Sequence, residues 1–217
     1  MTKKHIGFVL AIFLVSCGES DKSSTLRAII GDNNLQPYLD PDELSLAIGK
    51  TVVGCTVAHL GNGLVLTAGH CVPSNYCESN SNIVTWGYLA NNPAGILRSR
   101  CVDVVSRNFG DESDYALLQY EAYPEAAIPV NIDDKPSEGE ALNILSHPDG
   151  KPLQNSGWCW HLGDYEGKRF KYDCDTSRGS SGAPIFNESL EIVGIHNLSR
   201  EAQGFNAGTY LIDIVDQ

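Results

Sequence analysis

Short runs of β-forming residues recur along the whole chain, each closed by Gly, Pro, Asn or Asp, and no stretch carries the long helical periodicity of an amphipathic helix. The first half holds Thr51-Val-Val-Gly-Cys-Thr-Val57, Leu64-Val-Leu-Thr67, Ile83-Val-Thr-Trp-Gly-Tyr88, Cys101-Val-Asp-Val-Val105 and Tyr115-Ala-Leu-Leu-Gln-Tyr120. The second holds Ala141-Leu-Asn-Ile-Leu145, Gly157-Trp-Cys-Trp-His161, Glu191-Ile-Val-Gly-Ile-His196 and Thr209-Tyr-Leu-Ile212. Gly61-Asn-Gly63 predicts a hairpin between the first two runs. Many short strands at close spacing restrict the fold to an all-β barrel or sandwich. At 217 residues the chain can build two small lobes with cores of their own. Residues 124–137, rich in Pro, Glu and Asp, read as a connector between halves at 28–125 and 126–217. Residues 213–217 read as the start of a short terminal helix. Trp158 and Trp160 alternate around Cys159, and packing in a core or between lobes is the default for rings of that size.

The N-terminus has the pattern of an export signal. Lys3 and Lys4 precede an apolar run over residues 6–15, too short to cross a bilayer and of the right length for a signal-peptide core. The run ends in Leu14-Val-Ser-Cys17, which resembles the bacterial lipobox and implies lipid attachment at Cys17; an ordinary signal peptide with an incidental cysteine is the alternative. Residues 1–16 are then a leader, and 17–27 a lipidated cysteine with a polar tether or propeptide. Such a protein is exported and held on a membrane at the periplasmic or outer surface. Setting Cys17 aside leaves Cys55, Cys71, Cys77, Cys101, Cys159 and Cys174, an even set that suggests three disulfides and leaves their pairing open. No Cys-x-x-Cys pair, phosphate loop or metal-spaced carboxylate cluster occurs, so neither metal nor cofactor is expected. A net charge of −12 gives no electrostatic reason to bind nucleic acid.

Three residues stand in specialised local sequences. Ser181 lies in Asp175-Thr-Ser-Arg-Gly-Ser-Ser-Gly-Ala-Pro184, His70 in Leu66-Thr-Ala-Gly-His-Cys71, and Asp114 in Asp114-Tyr-Ala-Leu-Leu118. A serine hydroxyl is a weak nucleophile that needs a base, and a base needs a group to fix its tautomer. On these motifs the chain resembles the chymotrypsin-like serine peptidases, and within them the bacterial glutamyl endopeptidases, from about Ala28 onward. The resemblance implies two six-stranded antiparallel β-barrels with the active site in the cleft between them. It implies Ser181 as nucleophile in preference to Ser180, because Gly182 and Pro184 follow as the family motif has them. It implies His70 as base, Asp114 as its orienting carboxylate, and the N–H groups of Gly179 and Ser181 as the oxyanion hole. A bridge between Cys55 and Cys71 is common in the family, and with it go Cys159–Cys174 and Cys77–Cys101. Arg27-Ala-Ile-Ile-Gly-Asp32 resembles the processed start of mature members, which implies cleavage after Arg27.

Specificity has two readings at this level. Asp175, six residues before Ser181, stands where trypsins hold a basic substrate side chain. Thr176, five before it, and His196, fifteen after it, stand where glutamyl endopeptidases receive an acidic one. An acidic side chain and Asp175 cannot share a pocket floor, since repulsion at about 4 Å costs several kcal/mol at an effective dielectric of 20. Cleavage after acidic residues is the favoured reading, cleavage after Arg or Lys the alternative. A non-catalytic binding protein on the same scaffold is a third. The expected partners are protein or peptide substrates and, through Cys17, a membrane; the protein is expected to act as a monomer. His147 reads as structural.

Overall fold

In a computed structural model of the chain, residues 27–79 and 82–215 are described. The expected leader, Cys17 with its expected lipid, residues 18–26 of the expected tether and the last two residues of the sequence lie outside the described residues. The first half contains β1 (Arg27–Ala28), β2 (Gln36–Pro37), α1 (Glu43–Leu46), β3 (Ile48–Thr51), β4 (Thr56–Gly61), β5 (Leu64–Thr67), β6 (Ile83–Trp86), β7 (Leu97–Phe109) and β8 (Asp114–Tyr120). The second contains β9 (Ala141–Ser146), β10 (Gln154–Asn155), β11 (Cys159–Tyr165), β12 (Arg169–Tyr172), β13 (Thr176–Ser177), β14 (Pro184–Phe186), β15 (Ile192–Arg200), β16 (Phe205–Tyr210) and α2 (Ile212–Val215).

Strands β3-β4-β5-β8-β7-β6 close into one barrel. Strands β11-β12-β16-β15-β14-β9 form the second, closed by pairing of β9 with β11, while β10 and β2 extend the sheet beyond β9. Both barrels are antiparallel throughout, as the resemblance implied. The hairpin between β4 and β5 turns through Asn62 and Gly63, both at positive φ (53° and 76°), the pairing that Asn-Gly supplies. The segment before the first barrel joins the second instead. β1 pairs with β13, and β2 pairs with β10.

Two sequence expectations need correction. The run at 51–57 is not one strand. β3 stops at Thr51, whose hydroxyl accepts the Cys55 N–H at 2.7 Å, and Gly54 at φ +90° completes a turn that leaves Val52 and Val53 exposed. Trp158 and Trp160 are not packed in a core: both are more than half exposed, because Cys159 between them is the residue that points inward.

Each barrel has its own core. Val57, Val65, Val84, Trp86, Leu118 and Tyr120 fill the first, where Trp86 Nε1 donates to Ser99 Oγ at 2.8 Å. Leu142, Ile144, Phe170, Tyr172, Ile185 and Tyr210 fill the second. A third cluster joins them, with Ile48, Ala58 and Leu66 of the first barrel against Leu145, Phe186 and Ile195 of the second, and Ile214 of α2 among them. Disulfides link Cys55–Cys71, Cys77–Cys101 and Cys159–Cys174, as the resemblance implied.

Four buried histidines are built to be neutral. His59 donates from Nδ1 to the Ala126 carbonyl and accepts the Gly63 N–H at Nε2, which a doubly protonated ring cannot do. His161 accepts the Gly163 N–H at Nδ1, so its Nε2–H donates to Tyr210. His147 donates to the Lys151 carbonyl and leaves Nε2 buried without a partner. Burial lowers the pKa of all four, chiefly by desolvation: His147 to about 4, His196 to about 3, and His59 and His161 below the ordinary value. Below about pH 6.5 the unfolded chain therefore binds protons that the folded one refuses, and stability falls with falling pH. The expected slope between pH 6 and 4.5 approaches about 1.4 kcal/mol per pH unit for each of His147 and His196. Calorimetric melting across pH 8 to 4 checks this; a flat melting temperature below pH 6.5 would contradict it.

Candidate active site

β5 ends at Thr67 and runs into a single 3-10 turn, Gly69–Cys71, that carries His70 to the cleft. Gly69 is required there, since a Cβ would lie 2.0 Å from the Asn108 carbonyl oxygen. Arg107 holds the Gly69 carbonyl at 2.9 Å, and the Cys55–Cys71 bridge fixes the far side of the turn. Asp114 opens β8 and is 4% exposed. Its Oδ1 accepts the His70 backbone N–H at 2.9 Å, and its Oδ2 lies 2.6 Å from His70 Nδ1. One carboxylate thus fixes both the turn and the ring that the turn presents. The His70 side chain stays about 30% exposed, and its other nitrogen has no hydrogen-bond partner among the described residues.

The second barrel grips Asp114 through residues that the sequence reading did not single out. Asn197 Nδ2 donates to the Asp114 carbonyl at 2.6 Å, Thr209 Oγ1 accepts the Asp114 N–H at 3.3 Å, and the Thr209 hydroxyl donates to Asn197 Oδ1 at 2.7 Å. A polar residue in a strand has no local signature of such a role; only the amide that follows His196 in the run Ile192-Val-Gly-Ile-His-Asn-Leu198 hints at it.

The Ser181 loop packs directly on the His70 strand. A Cβ on Gly182 would meet Thr67 Oγ1 at 2.1 Å and the Thr56 carbonyl at 2.4 Å, so only glycine permits the approach. Thr56 spans the two barrels. Its N–H donates to the Ser181 carbonyl at 2.9 Å, and its hydroxyl donates to the Gly179 carbonyl at 2.8 Å while accepting the His147 N–H at 3.0 Å. Ser180 is fully buried, its hydroxyl bonded to Ser146 Oγ at 2.9 Å and accepting the Ser177 N–H. Ser181 is the partly exposed serine of the pair. The amides of Ser180, Gly182 and Ala183 donate to Ser177, His196 and Ser180 carbonyls. Those of Gly179 and Ser181 donate to no acceptor among the described residues. Beside His70 a cavity of about 680 Å³ is lined by Asp114, Phe109, Arg169, Asn197 and Leu198. A ring nitrogen of His70 and the sulfurs of Cys55 and Cys71 lie within 4.8 Å of one another, but the sulfurs share a disulfide and are poor metal donors.

The three residues expected to bear on specificity are handled differently. Asp175 is 1% exposed, and both its oxygens are taken by backbone N–H groups of the N-terminal segment, Oδ1 by Ile30 at 2.7 Å and Oδ2 by Asn34 at 2.6 Å. The carboxylate is turned to the strap at 27–34, which also pairs through β1 with β13 and is held at the Ala28 carbonyl by Asn206. Thr176 is fully buried with its hydroxyl unpartnered. His196, on β15, is 4% exposed and bonds Tyr172 through Nδ1.

Residues 53–195 match the family model of the trypsin-like peptidase domain. A glutamyl endopeptidase of Staphylococcus epidermidis is 25% identical over 172 residues, which span 73% of this chain and 58% of that relative. The chain therefore matches less than two thirds of that relative's length. Among solved structures, a Glu endopeptidase superposes with a TM-score of 0.71 at 19% identity, covering 87% of this chain and 97% of the other. The serine endoprotease from Yersinia pestis does so with a TM-score of 0.61 at 19% identity, covering 80% and 62%. At these identities the structural likeness is one of fold.

Two variants test the site's framework. Thr56→Val keeps the shape but strips the Gly179 carbonyl and the His147 N–H of their partner, at an expected cost of about 2 kcal/mol in urea unfolding. Asp175→Asn offers one acceptor where two are used and turns an amide donor on the strap, at an expected cost of about 1–3 kcal/mol. Unchanged stability of Asp175→Asn together with lost cleavage after Arg or Lys would restore Asp175 to the pocket floor.

Proposed function

Because this chain belongs to the trypsin-like peptidases, we propose that it is an exported serine endopeptidase that cleaves protein or peptide chains after acidic residues. What carries the reading is the paired grip of Asp114 on the His70 amide and ring. The carboxylate keeps the proton on Nδ1, so Nε2 is a free base directed at the cleft. His70 takes the Ser181 proton as the hydroxyl attacks the substrate carbonyl. The amides of Gly179 and Ser181, which have no acceptor among the described residues, donate to the oxyanion that forms. His70 then protonates the leaving amine, and water, deprotonated by His70, releases the acyl group.

Preference for an acidic side chain rests on what each candidate has left to offer. Asp175 has no free oxygen for a cation. Thr176 has a hydroxyl without a partner, and His196 has a ring nitrogen that bonds nothing among the described residues. Both can donate to a carboxylate. The leader-like Lys3 and Lys4 with the apolar run at 6–15 support export, and Leu14-Val-Ser-Cys17 supports a lipid anchor on Cys17.

Cleavage of a peptide library by the purified protein tests the reading. The expected result is cleavage after Glu favoured about tenfold or more over Gln. Ser181→Ala is expected to lower the rate about a millionfold. Cleavage confined to Arg or Lys would overturn the acidic preference. Activity that survives Ser181→Ala would overturn the mechanism.

A further inference from the structure

Tyr172 is the one buried phenol whose hydroxyl touches a specificity residue. It lies on β12 and His196 on β15; both strands pair with β16, at Asn206 and Gly208 respectively. The side chain reaches across β16 and places its hydroxyl 2.5 Å from His196 Nδ1. Neither side chain has another hydrogen-bond partner among the described residues, and Tyr172 is fully buried.

This pairing decides where the imidazole proton sits. A buried phenol must donate its hydrogen, and Nδ1 is the acceptor within reach. A proton on Nδ1 would leave the Tyr172 hydrogen facing it, buried and without an acceptor. Nδ1 is therefore the bare nitrogen and Nε2 carries the hydrogen. Burial pushes the Tyr172 phenol well above its ordinary value, so the donor is always present. His196 is neutral at physiological pH; of the charged groups that act on it, His70 lowers its pKa and Asp114 raises it, both less than burial does.

We propose that Tyr172 is a specificity-positioning residue: it donates to His196 Nδ1 and so holds the Nε2–H of His196 as a fixed donor for the substrate's acidic side chain. The inference rests on the acidic preference proposed above. It makes His196 a neutral donor that recognises an acceptor oxygen through Nε2–H. A tyrosine without its hydroxyl leaves the ring free to place its hydrogen on either nitrogen.

Two measurements test this. Nitrogen-15 NMR of the imidazoles in the unaltered protein is expected to show His196 as the Nε2–H tautomer, with Nδ1 as acceptor; an Nδ1–H ring would overturn the proposal without any substitution. Tyr172→Phe is expected to give a mixture of tautomers and to narrow the Glu-over-Gln ratio of kcat/KM about tenfold, with most of the change in KM for Glu peptides. Its melting temperature, read alongside, separates this from loss of fold. A wild-type protein without preference for Glu would overturn the acidic reading and this proposal with it. A wild-type preference that Tyr172→Phe retains in full would overturn this proposal alone.

Discussion

The active cleft depends on a single threonine at the seam. Thr56 belongs to the first barrel by its strand and to the second by its hydrogen bonds, through N–H to Ser181 and through the hydroxyl to Gly179 and His147. Its neighbour Cys55 is bridged to Cys71, the residue after His70. Cys55 and Thr56, at the start of β4, therefore set the Ser181 loop and the His70 turn against each other. Apolar contact between Ile48, Leu66, Leu145 and Phe186 brings the barrels together, but such contact is non-directional and tolerates sliding. Directional bonds at Thr56, and those from Asn197 and Thr209 to Asp114, turn a hydrophobic seam into one register.

The same division of labour separates what the sequence declared from what it concealed. His70, Asp114 and Ser181 stand out as candidates because the residues around them need their own local backbone. Gly69 must clear the Asn108 carbonyl, and Gly182 must lie against Thr67, so motif and geometry are one fact. The strand runs were legible because alternation and turn residues are local. Val52 and Val53 mislead because β-branched residues score as strand wherever they fall, and a side-chain hydrogen bond from Thr51 overrides them. Trp158 and Trp160 mislead because size predicts burial only on average, whereas the disulfide at Cys159 fixes which face turns inward. Asn197, Thr209 and Tyr172 act across strands that are distant in sequence, and no local pattern encodes a partner on another strand.

Asp175 shows why position in a motif underdetermines role. A carboxylate six residues before Ser181 would serve a substrate cation only while its oxygens are vacant. Here two backbone amides fill them, and a carboxylate with two amide donors is a poor site for a third ligand. The deciding contacts come from residues some 140 positions away in the chain, so the loop sequence itself carries no trace of them. The charge that suggests one specificity instead secures the segment beside the residues that support another.

That strap also determines where mechanical load would enter the molecule. β1 is a two-residue ladder on β13, and β13 begins at Thr176. A pull on the chain upstream of Arg27 would be delivered first to that ladder and to the Asp175 clasp, before it reached either barrel. Short ladders loaded at one end open bond by bond, so tension would be felt at the loop of Asp175 and Thr176 while both cores remained intact. The joint beside Thr176 is a two-residue ladder and one carboxylate clasp, so load on the N-terminal segment is concentrated there.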